Sequence, residues 1–304
     1  MSKERQMSGY LGKIAGVFAG RGLDRFCLVR KATDIIYSRS AKGKKVILCN
    51  IQGSKMLLDA SDLVVSKTLY FTGVWEKEVT SLIKVITKQG MVFVDIGANI
   101  GYFTLLGAKL VGKTGKVFAF EPDVNNYALL TKNIELNMYD NVALANKAVT
   151  NRVNTANLFI DTENSGNHKL WASSKEQEQV SVGTTSIDSF LESYNVCSSI
   201  IVKMDIQGAE MAALQGMDKL IRANPDIKLI IEFWPAGIRG YGDSPKELLD
   251  RLLKYDFNIY RITTRGLKAT DISYLLKLCD YETIEAEEKQ LKFINIYCEK
   301  ENRL

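Results

Sequence analysis

The sequence lacks any long hydrophobic run and has few prolines and very little histidine. Among 304 residues there are four prolines and a single histidine, His168. A membrane-spanning helix needs about 18 or more consecutive apolar residues, and no segment approaches that length, so we expect no such helix. Residues 11–29 are interrupted by Lys13, Arg21 and Arg25, so we expect no secretory signal peptide either.

The chain also lacks paired cysteines. Its five cysteines are scattered and form no Cys-x-x-Cys pair: Cys27, Cys49, Cys197, Cys279 and Cys298. This spacing indicates neither a disulfide framework nor a structural zinc site. A reducing, cytoplasmic compartment is therefore the expected location.

Positive charge is concentrated at the N-terminal end. Residues 1–55 hold 12 Lys and Arg against three acidic residues, whereas the whole chain has a net charge of +5. A basic segment of this kind is suited to peripheral contact with an anionic membrane surface or an acidic glycan. It is equally typical of a solvated surface, so both interpretations stay open.

The most informative segment is a buried strand that ends in an acidic, glycine-rich turn. Residues 91–96 (MVFVDI) form a short apolar run, and residues 100–110 have the apolar spacing of a helix. Gly97 and Gly101 fall in the turn between them, where a missing side chain lets the backbone approach a ligand. The next predicted strand ends at Glu121, 24 residues after Gly97. A carboxylate at about this distance is suited to accept hydrogen bonds from ribose hydroxyls.

Two details favour S-adenosylmethionine (SAM) over a dinucleotide as the ligand of this turn. The spacing is Gly-x-x-x-Gly and not the Gly-x-Gly-x-x-Gly fingerprint that holds a pyrophosphate. Asp95 lies at the start of the turn, where its charge repels a pyrophosphate and attracts the ammonium and sulfonium groups of SAM. The set Asp95, Gly97, Gly101 and Glu121 therefore predicts a methyltransferase. A strand and helix with glycines present for packing alone is the simpler alternative.

Strand and helix patterns alternate from residue 91 onward, which predicts an α/β fold with a mostly parallel, Rossmann-like sheet. Before it, residues 45–50 and 55–59 predict a β-hairpin. We expect two parts, an N-terminal basic extension with the hairpin at residues 1–74 and a catalytic domain at residues 75–304.

Other segments have their own local predictions. Residues 63–70 are expected to be extended, and residues 75–88 to form an amphipathic helix. Residues 141–149 are expected to form one strand, and residues 235–242 a glycine-rich loop.

Four blocks of the sequence resemble the FkbM family of SAM-dependent methyltransferases. A short segment before the first block, residues 73–76 (GVWE), also resembles the family, and the similarity covers roughly residues 70–300. The four blocks, of which the last two are the more specific, are residues 93–101 (FVDIGANIG), 119–122 (AFEP), 164–168 (NSGNH) and 203–210 (KMDIQGAE).

The resemblance implies a class I methyltransferase fold, with a seven-stranded, mostly parallel sheet in a three-layer αβα arrangement. It also implies that Asn99, Pro122 and Glu76 belong to the cofactor site. Known members methylate hydroxyl groups of sugars and polyketides, so the implied activity is O-methylation of a sugar, glycoconjugate or related small molecule. One departure is Ala209, where family members often have His or a larger residue.

Acidic residues at two neighbouring strand ends are the main candidates for the acceptor side. In an open α/β sheet the ligand lies beyond the carboxyl ends of the strands, and Asp205 and Glu232 end two predicted strands. Asp205 is expected to face the acceptor, although Asp at this point is also typical of a helix cap. The two carboxylates together are suited to Mg²⁺, although such pairs also occur without an ion.

A polar insertion, residues 162–174, contains the histidine. The imidazole of His168 titrates near neutrality, so it is a candidate to accept the hydroxyl proton, the alternative being an exposed loop histidine. Asn164 and Asn167 are candidates to hydrogen-bond sugar hydroxyls. Trp234 offers a flat face against which a sugar ring can pack.

Three other functions compete with sugar O-methylation. A nucleic-acid methyltransferase is disfavoured because residues 205–208 (DIQG) are not the Asn/Asp-Pro-Pro-aromatic turn that grips an exocyclic amine, and no Pro-Cys pair occurs. A non-catalytic SAM-binding protein would keep Asp95 and Glu121 but close the acceptor crevice. An NAD-linked oxidoreductase is least favoured, because the glycine spacing is wrong. The sequence leaves the acceptor and the oligomeric state open.

Overall fold

The computed structural model describes residues 27–161, 166–172, 177–194, 199–279 and 293–300. The helices of this part of the chain are α1 (Cys27–Ala41), α2 (Val65–Thr72), α3 (Lys77–Ile86), α4 (Tyr102–Val111), α5 (Val124–Leu136), α6 (Ile187–Leu191), α7 (Glu210–Gln215), α8 (Asp218–Ala223), α9 (Pro235–Tyr241), α10 (Pro245–Lys254) and α11 (Ile272–Cys279). The strands are β1 (Val46–Ile51), β2 (Ser54–Asp59), β3 (Val92–Ile96), β4 (Lys116–Phe120), β5 (Val142–Ala145), β6 (Ala148–Val149), β7 (Asn154–Phe159), β8 (Gln179–Thr185), β9 (Ile200–Met204), β10 (Ile227–Phe233), β11 (Phe257–Thr263), β12 (Gly266–Ala269) and β13 (Ile294–Lys300).

A large sheet forms the centre of the molecule. Its strands lie in the order β12-β11-β13-β10-β9-β3-β4-β5. The five strands from β10 to β5 are parallel, whereas β13 runs antiparallel to both of its neighbours. Apart from the short edge strand β12, this is the predicted seven-stranded sheet of a class I methyltransferase. The chain adds β4 and β5 on one side of β3, and β9 and β10 on the other. This change of side is the switch point of the sheet, and a ligand crevice is expected there, at the carboxyl ends of β3 and β9.

Helices cover both faces of the sheet, because alternate residues of each strand enter two different hydrophobic cores. In β3, Val92 and Val94 belong to one core and Phe93 to the other. Helices α7, α8, α10 and α11 contribute to the first core, and α2 to α5 contribute to the second. The structure therefore has the predicted three-layer αβα arrangement.

The predicted hairpin is present and packs into the second core. Met56 and Leu58 of β2 are fully buried there. Asn133 of α5 accepts a hydrogen bond from the N–H of Leu57 at 2.6 Å and donates to the carbonyl oxygens of Leu57 and Ile100 at 3.1 and 2.8 Å. The hairpin thus shares its core with the sheet. The predicted division of the chain at residue 74 stays a prediction.

Three local predictions were wrong. Residues 63–70 lie mostly in helix α2 and are not extended, because the carboxylate of Asp62 accepts hydrogen bonds from three backbone N–H groups of the first turn. Residues 141–149 are not one strand, since β5 joins the central sheet and β6 joins β8 and β7 in a second sheet. Residues 235–242 form helix α9 rather than a loop, with Pro235 at its start, where the fixed φ of proline suits a first turn.

No helix within the described ranges is both long and apolar enough to cross a membrane. Of the basic segment for which peripheral membrane contact was considered, residues 1–26 lie outside the described residues.

The buried amide of Asn133 leads to a prediction about stability. We expect Asn133→Ala to lower the free energy of unfolding by about 1–3 kcal/mol, because buried backbone groups of Leu57 and Ile100 lose their partner. Asn137→Ala is the matched control, since Asn137 bonds the hairpin at Lys55 from a less buried position, and we expect it to cost under about 1 kcal/mol. Urea unfolding followed by circular dichroism measures both. An equal decrease in the free energy of unfolding for the two variants would show that Asn133 does not stabilise the hairpin more than Asn137 does.

Candidate active site

The glycine turn after β3 lies directly against the loop after β9. Gly97 has a φ of +83°, and a Cβ built on it would lie 2.0 Å from the backbone oxygen of Asp205. Any side chain at this position would therefore push the two loops apart. Gly101 precedes α4, and a Cβ there would lie 2.6 Å from Cδ1 of Leu130. The turn therefore requires glycine at both positions, because its backbone lies against Asp205 at Gly97 and against Leu130 at Gly101.

The carboxylate of Glu121 is held at the end of β4 by two backbone groups. Its Oε2 accepts a hydrogen bond from the N–H of Asn99 at 2.8 Å, and its Oε1 accepts one from the N–H of Asp123 at 2.9 Å. Burial raises the pKa of Glu121 to about 8, although these two hydrogen bonds oppose the shift. Each carboxylate oxygen can accept a further hydrogen bond, so Glu121 keeps acceptor capacity for a ligand.

A buried ammonium group, that of Lys203, lies among carboxylates at the carboxyl ends of β3 and β9. Its Nζ is 3.1 Å from Oδ2 of Asp205 and 4.0 Å from Oε2 of Glu76. Asp95 is the residue that pairs with Lys203 between the two strands. Burial alone lowers the pKa of Lys203, but Asp205, Glu76 and Asp95 together outweigh it and raise this pKa above its ordinary value. Lys203 therefore stays protonated and holds these acidic groups together.

Asp95 is fully buried beneath the glycine turn. Its Oδ2 accepts a hydrogen bond from the hydroxyl of Thr104 at 2.6 Å, and its Oδ1 has no hydrogen-bond partner in the described part of the chain. Burial raises the pKa of Asp95, and the charge of Lys203 opposes that shift. Because its side chain is fully buried, Asp95 supports the turn from below through Thr104 and is not open to direct contact with a ligand.

Gln207 links Asp205 to another acidic side chain, that of Glu232. Its Nε2 donates hydrogen bonds to Oδ1 of Asp205 at 2.8 Å and to Oε2 of Glu232 at 2.9 Å. Glu76 accepts a hydrogen bond at Oε1 from Nδ2 of Asn295 at 2.8 Å. Burial, reinforced by the charge of Asp205, raises the pKa of Glu232 well above its ordinary value. The group of side chains around Lys203 thus has one ammonium and four carboxyl groups, those of Glu76, Asp95, Asp205 and Glu232.

The geometry does not support Mg²⁺ between Asp205 and Glu232. The amide nitrogen of Gln207 donates to one oxygen of each carboxylate, and the ammonium of Lys203 contacts the other oxygen of Asp205. These donors take the places where an ion would bind, so the residues do not fit a metal site. Within the described residues, no three His, Cys, Asp or Glu side chains form a group that could hold an ion.

A cavity of about 870 Å³, counted out to its open mouth, lies at the carboxyl ends of β3, β4 and β9. We call it the first cavity. Of the predicted cofactor residues, Glu76, Asp95 and Gly101 do not line it. The predicted site residues that do line it are Gly97, Asn99, Glu121, Pro122, His168 and Asp205.

A larger cavity of about 2300 Å³, which we call the second cavity, adjoins the first and is open to solvent. It contains two more predicted site residues, Glu76 and Glu232, and the aromatic Trp234. Its charged lining comprises four carboxylates and two basic side chains. The side chains that line both cavities include Trp75, Lys169, Asp205 and Gln207.

His168 belongs to the first cavity, where its ring is already hydrogen-bonded. Its Nδ1 accepts a hydrogen bond from the N–H of Asp161 at 3.0 Å. A neutral imidazole that accepts at Nδ1 carries its proton on Nε2. Burial lowers the pKa of His168, although nearby acidic groups oppose the shift. Its predicted role as proton acceptor stays a prediction, and it would require Nδ1 to release the Asp161 N–H.

Of the two asparagines predicted to bind sugar hydroxyls near His168, the structure describes only Asn167. Asn164 lies outside the described residues. Asn167 lines the second cavity, and its Nδ2 donates a hydrogen bond to Oδ2 of Asp161.

Sequence reasoning missed four residues of the site, namely Lys203, Gln207, Lys169 and Trp171. A lysine at a strand end is usually exposed, so the burial of Lys203 was not expected. The available signal was its position inside an otherwise apolar strand, IIVKM at residues 200–204. Trp171 donates a hydrogen bond from Nε1 to the backbone oxygen of Gln207 at 2.8 Å, a contact that no local pattern indicates.

A Rossmann-like sheet with a cavity at its switch point, lined by the glycine turn, Glu121 and Asp205, is the architecture of class I methyltransferases. The chain belongs to the FkbM methyltransferase family. The model of the methyltransferase FkbM domain matches residues 95–259, which is more than half of the chain. The match includes Asp95, Glu121, Asp205 and Glu232. The predicted family and the predicted enzyme class, a SAM-dependent methyltransferase, are thereby confirmed.

Solved methyltransferase structures are similar to the chain at low identity. A SAM-dependent O-methyltransferase from Thermotoga maritima is 15% identical, with 76% of this chain and 67% of that chain covered and a TM-score of 0.36. The precorrin-6y C5,15-methyltransferase of Geobacter metallireducens is 12% identical, with 74% and 89% covered and a TM-score of 0.39. A SAM-dependent methyltransferase from Aquifex aeolicus is 14% identical, with 73% and 88% covered and a TM-score of 0.37. No curated protein matches the chain.

The contact at Gly97 leads to a second prediction about stability. We expect Gly97→Ala to lower the free energy of unfolding by about 2–5 kcal/mol, because left-handed strain adds to a collision with the loop after β9. Gly43→Ala is the matched control, since Gly43 has a φ of +71° and open space around it, and it should cost only about 1–2 kcal/mol. Thermal and urea unfolding measure both variants. Losses of the same size would argue against a tight contact between the two loops.

Proposed function

We propose that this methyltransferase transfers the methyl group of SAM to a hydroxyl group of a sugar or glycoconjugate. The observation that carries the proposal is the shared wall of the two cavities, at which Asp205 and Lys169 lie. SAM, when bound, supplies an electrophilic methyl group on a sulfonium ion. An acceptor oxygen must come within attack distance of that carbon, so the two ligands need adjoining sites.

The residues around the first cavity fit SAM. Glu121 would accept hydrogen bonds from the ribose hydroxyls, with Asn99 and Pro122 beside it. Asp95 and Glu76 each have a buried carboxylate oxygen for which the described chain offers no hydrogen-bond partner. Buried carboxyl groups at this point disfavour a pyrophosphate, and the ammonium of Lys203 is already paired with Glu76.

Asp205 and Glu232 are assigned to bind and orient the acceptor hydroxyl. Asp205 lines both cavities and Glu232 lines the second. Lys203 and Gln207 each bond one oxygen of Asp205, so the carboxylate has a fixed position. Fixed orientation of an acceptor oxygen contributes strongly to the rate of a displacement reaction.

The lining of the second cavity favours a sugar over a nucleic acid. Trp75 and Trp234 offer aromatic faces on which an apolar sugar face can pack. The carboxylates of this cavity can accept hydrogen bonds from hydroxyl groups. They also outnumber its basic side chains by four to two, so this cavity offers few partners for a phosphate backbone.

An open second cavity also favours a catalytic protein over a SAM-binding protein without an acceptor. A polyketide or another small molecule with a hydroxyl group is the nearest alternative acceptor. The cytoplasmic location and the contact of residues 1–55 with a membrane surface stay predictions.

The acceptor class can be tested by transfer of a tritiated methyl group from SAM. Polysaccharide, lipid-linked sugar and total RNA fractions of the source are incubated separately with the protein. We expect label that is stable to mild alkali in a sugar fraction, since methyl ethers resist hydrolysis and methyl esters do not. Label in RNA alone would overturn the proposal.

The raised pKa of Glu121 leads to a prediction about cofactor binding. Ribose hydroxyls favour the ionised carboxylate, so binding below about pH 8 must release the proton that Glu121 holds. We expect the affinities for SAM and for S-adenosylhomocysteine (SAH) both to fall as the pH drops below 8, by up to about tenfold per unit. Calorimetric titration at several pH values measures this fall.

Glu121→Gln is the matched variant for that titration, because it keeps the size of the side chain and cannot ionise. At pH 9 we expect this variant to bind SAM and SAH more weakly than the wild type. Below pH 8 its affinities should no longer show the fall that protonation of Glu121 causes in the wild type. An unchanged affinity would remove Glu121 from the cofactor site.

Asp205 provides a test of the acceptor side. We expect Asp205→Asn to lower methyl transfer by about a hundredfold, because the acceptor oxygen loses its fixed carboxylate partner. SAM affinity should fall by less than the rate of transfer, because Glu121 stays in place to bind the ribose hydroxyls. Transfer of tritiated methyl to the sugar fraction and calorimetry measure the two effects separately. A fully active variant would exclude Asp205 from the reaction.

A further inference from the structure

Lys169 is a buried lysine at the wall between the two cavities. Its side chain lines both of them, and the residue is only 6% exposed. The backbone at this point is fixed, because the N–H groups of Lys169 and Phe159 each donate to the carbonyl oxygen of the other, at 3.2 and 2.8 Å. The residue is therefore held at the wall that the two cavities share.

The surroundings of this amine are mainly aromatic. Its Nζ lies 4.4 Å from the ring centre of Trp171 and 5.8 Å from that of Trp234. In the described structure it forms neither a hydrogen bond nor an ion pair, in contrast to the amine of Lys203. Burial lowers the pKa of Lys169, while the charge of Asp161 opposes that shift. Burial thus favours loss of the proton from Lys169, whereas the two rings favour its ammonium form.

We propose that the unpaired amine of Lys169 takes the proton from the acceptor hydroxyl during methyl transfer. This inference rests on the proposed function. The O–CH₃ bond forms as the S–CH₃ bond breaks, the electron pair of the broken bond stays on sulfur, and the O–H proton moves to Nζ. The site begins with a sulfonium and a neutral amine and ends with a thioether and an ammonium, so its net charge is unchanged.

Electrostatics favours a neutral amine before transfer and an ammonium after it. A sulfonium in the first cavity repels a second cation at the wall that both cavities share. Once the methyl group has left, that repulsion is gone. The ammonium that forms is then stabilised by the faces of Trp171 and Trp234.

The other titratable groups at the wall are less suited to accept the proton. Both carboxylate oxygens of Asp205 already accept hydrogen bonds, one from Lys203 and one from Gln207. His168 holds the N–H of Asp161 at its ring nitrogen and lines the first cavity. Lys169 offers a lone pair that no described neighbour engages.

Other charged groups around the same space also affect the binding of a cation, and the test must separate them from Lys169. The acidic groups are Glu76, Glu78, Glu121, Asp161, Asp205 and Glu232, and the basic or titratable ones are Lys147, His168, Lys203 and Arg261.

The test compares SAM with SAH, which lacks the sulfonium charge. Calorimetry from pH 6 to 10 measures both affinities in the wild type and in Lys169→Met. We expect the wild-type preference for SAM over SAH to fall by about tenfold as the pH drops, because protonated Lys169 repels the sulfonium. In Lys169→Met, the preference for SAM over SAH should no longer show the decrease that protonation of Lys169 causes. The part caused by the acidic groups would persist in both proteins.

Two more variants complete the design. Lys169→Arg places a permanent cation at the wall, so we expect a reduced preference for SAM at every pH. Lys147→Met removes an exposed lysine from the first cavity, and it should leave the pH dependence of the preference as in the wild type. Unfolding of each variant by urea shows whether the fold is kept.

The outcomes distinguish the two proposals. If the wild type binds no SAM at any pH, the proposed function fails. If it binds SAM but Lys169→Met keeps the wild-type pH dependence, the role of Lys169 is overturned and the proposed function stands. Where the sugar fraction accepts methyl groups, Lys169→Met should also lower kcat by about 100-fold or more and flatten its rise with pH.

Discussion

The buried ammonium of Lys203 is the interaction on which the active-site structure depends. It joins Asp205 after β9 to Glu76 before α3 and lies across from Asp95 in β3, so three separate elements meet around one charge. Without that charge, the buried carboxylates would repel one another and take up protons. One ammonium cannot balance all of them, since Glu232 is linked to the same cluster through Gln207. Carboxyl groups therefore outnumber the one ammonium that is buried among them.

The two cavities are consistent with this distribution of charge. Gly97 brings the turn after β3 against the loop after β9, and the same loop carries Asp205 and Gln207 into the wall that both cavities share. A cofactor that carries positive charge is thus placed beside an acceptor crevice with acidic and aromatic walls. Lys169 lies at that wall, and burial lowers its pKa, which is the direction that the proposed role as a base requires.

Features that depend on neighbouring residues in the chain were predictable from the sequence. The strand before Gly97 and the position of Glu121 follow from local apolar runs and spacing, and both are where they were expected. Features that depend on tertiary contacts were not predictable. The burial of Lys203 arises from carboxylates that come from distant segments. The position of Lys169 at the cavity wall is set by its bridge to Phe159 of β7, and nothing around residue 169 in the sequence indicates it.

The most direct test of the account is a crystal structure of the protein grown with SAM. The account predicts ribose hydroxyls within hydrogen-bond distance of the Glu121 carboxylate, and a sulfonium at the wall that Asp205 shares with the second cavity. An empty first cavity, or a bound diphosphate at the glycine turn, would contradict it.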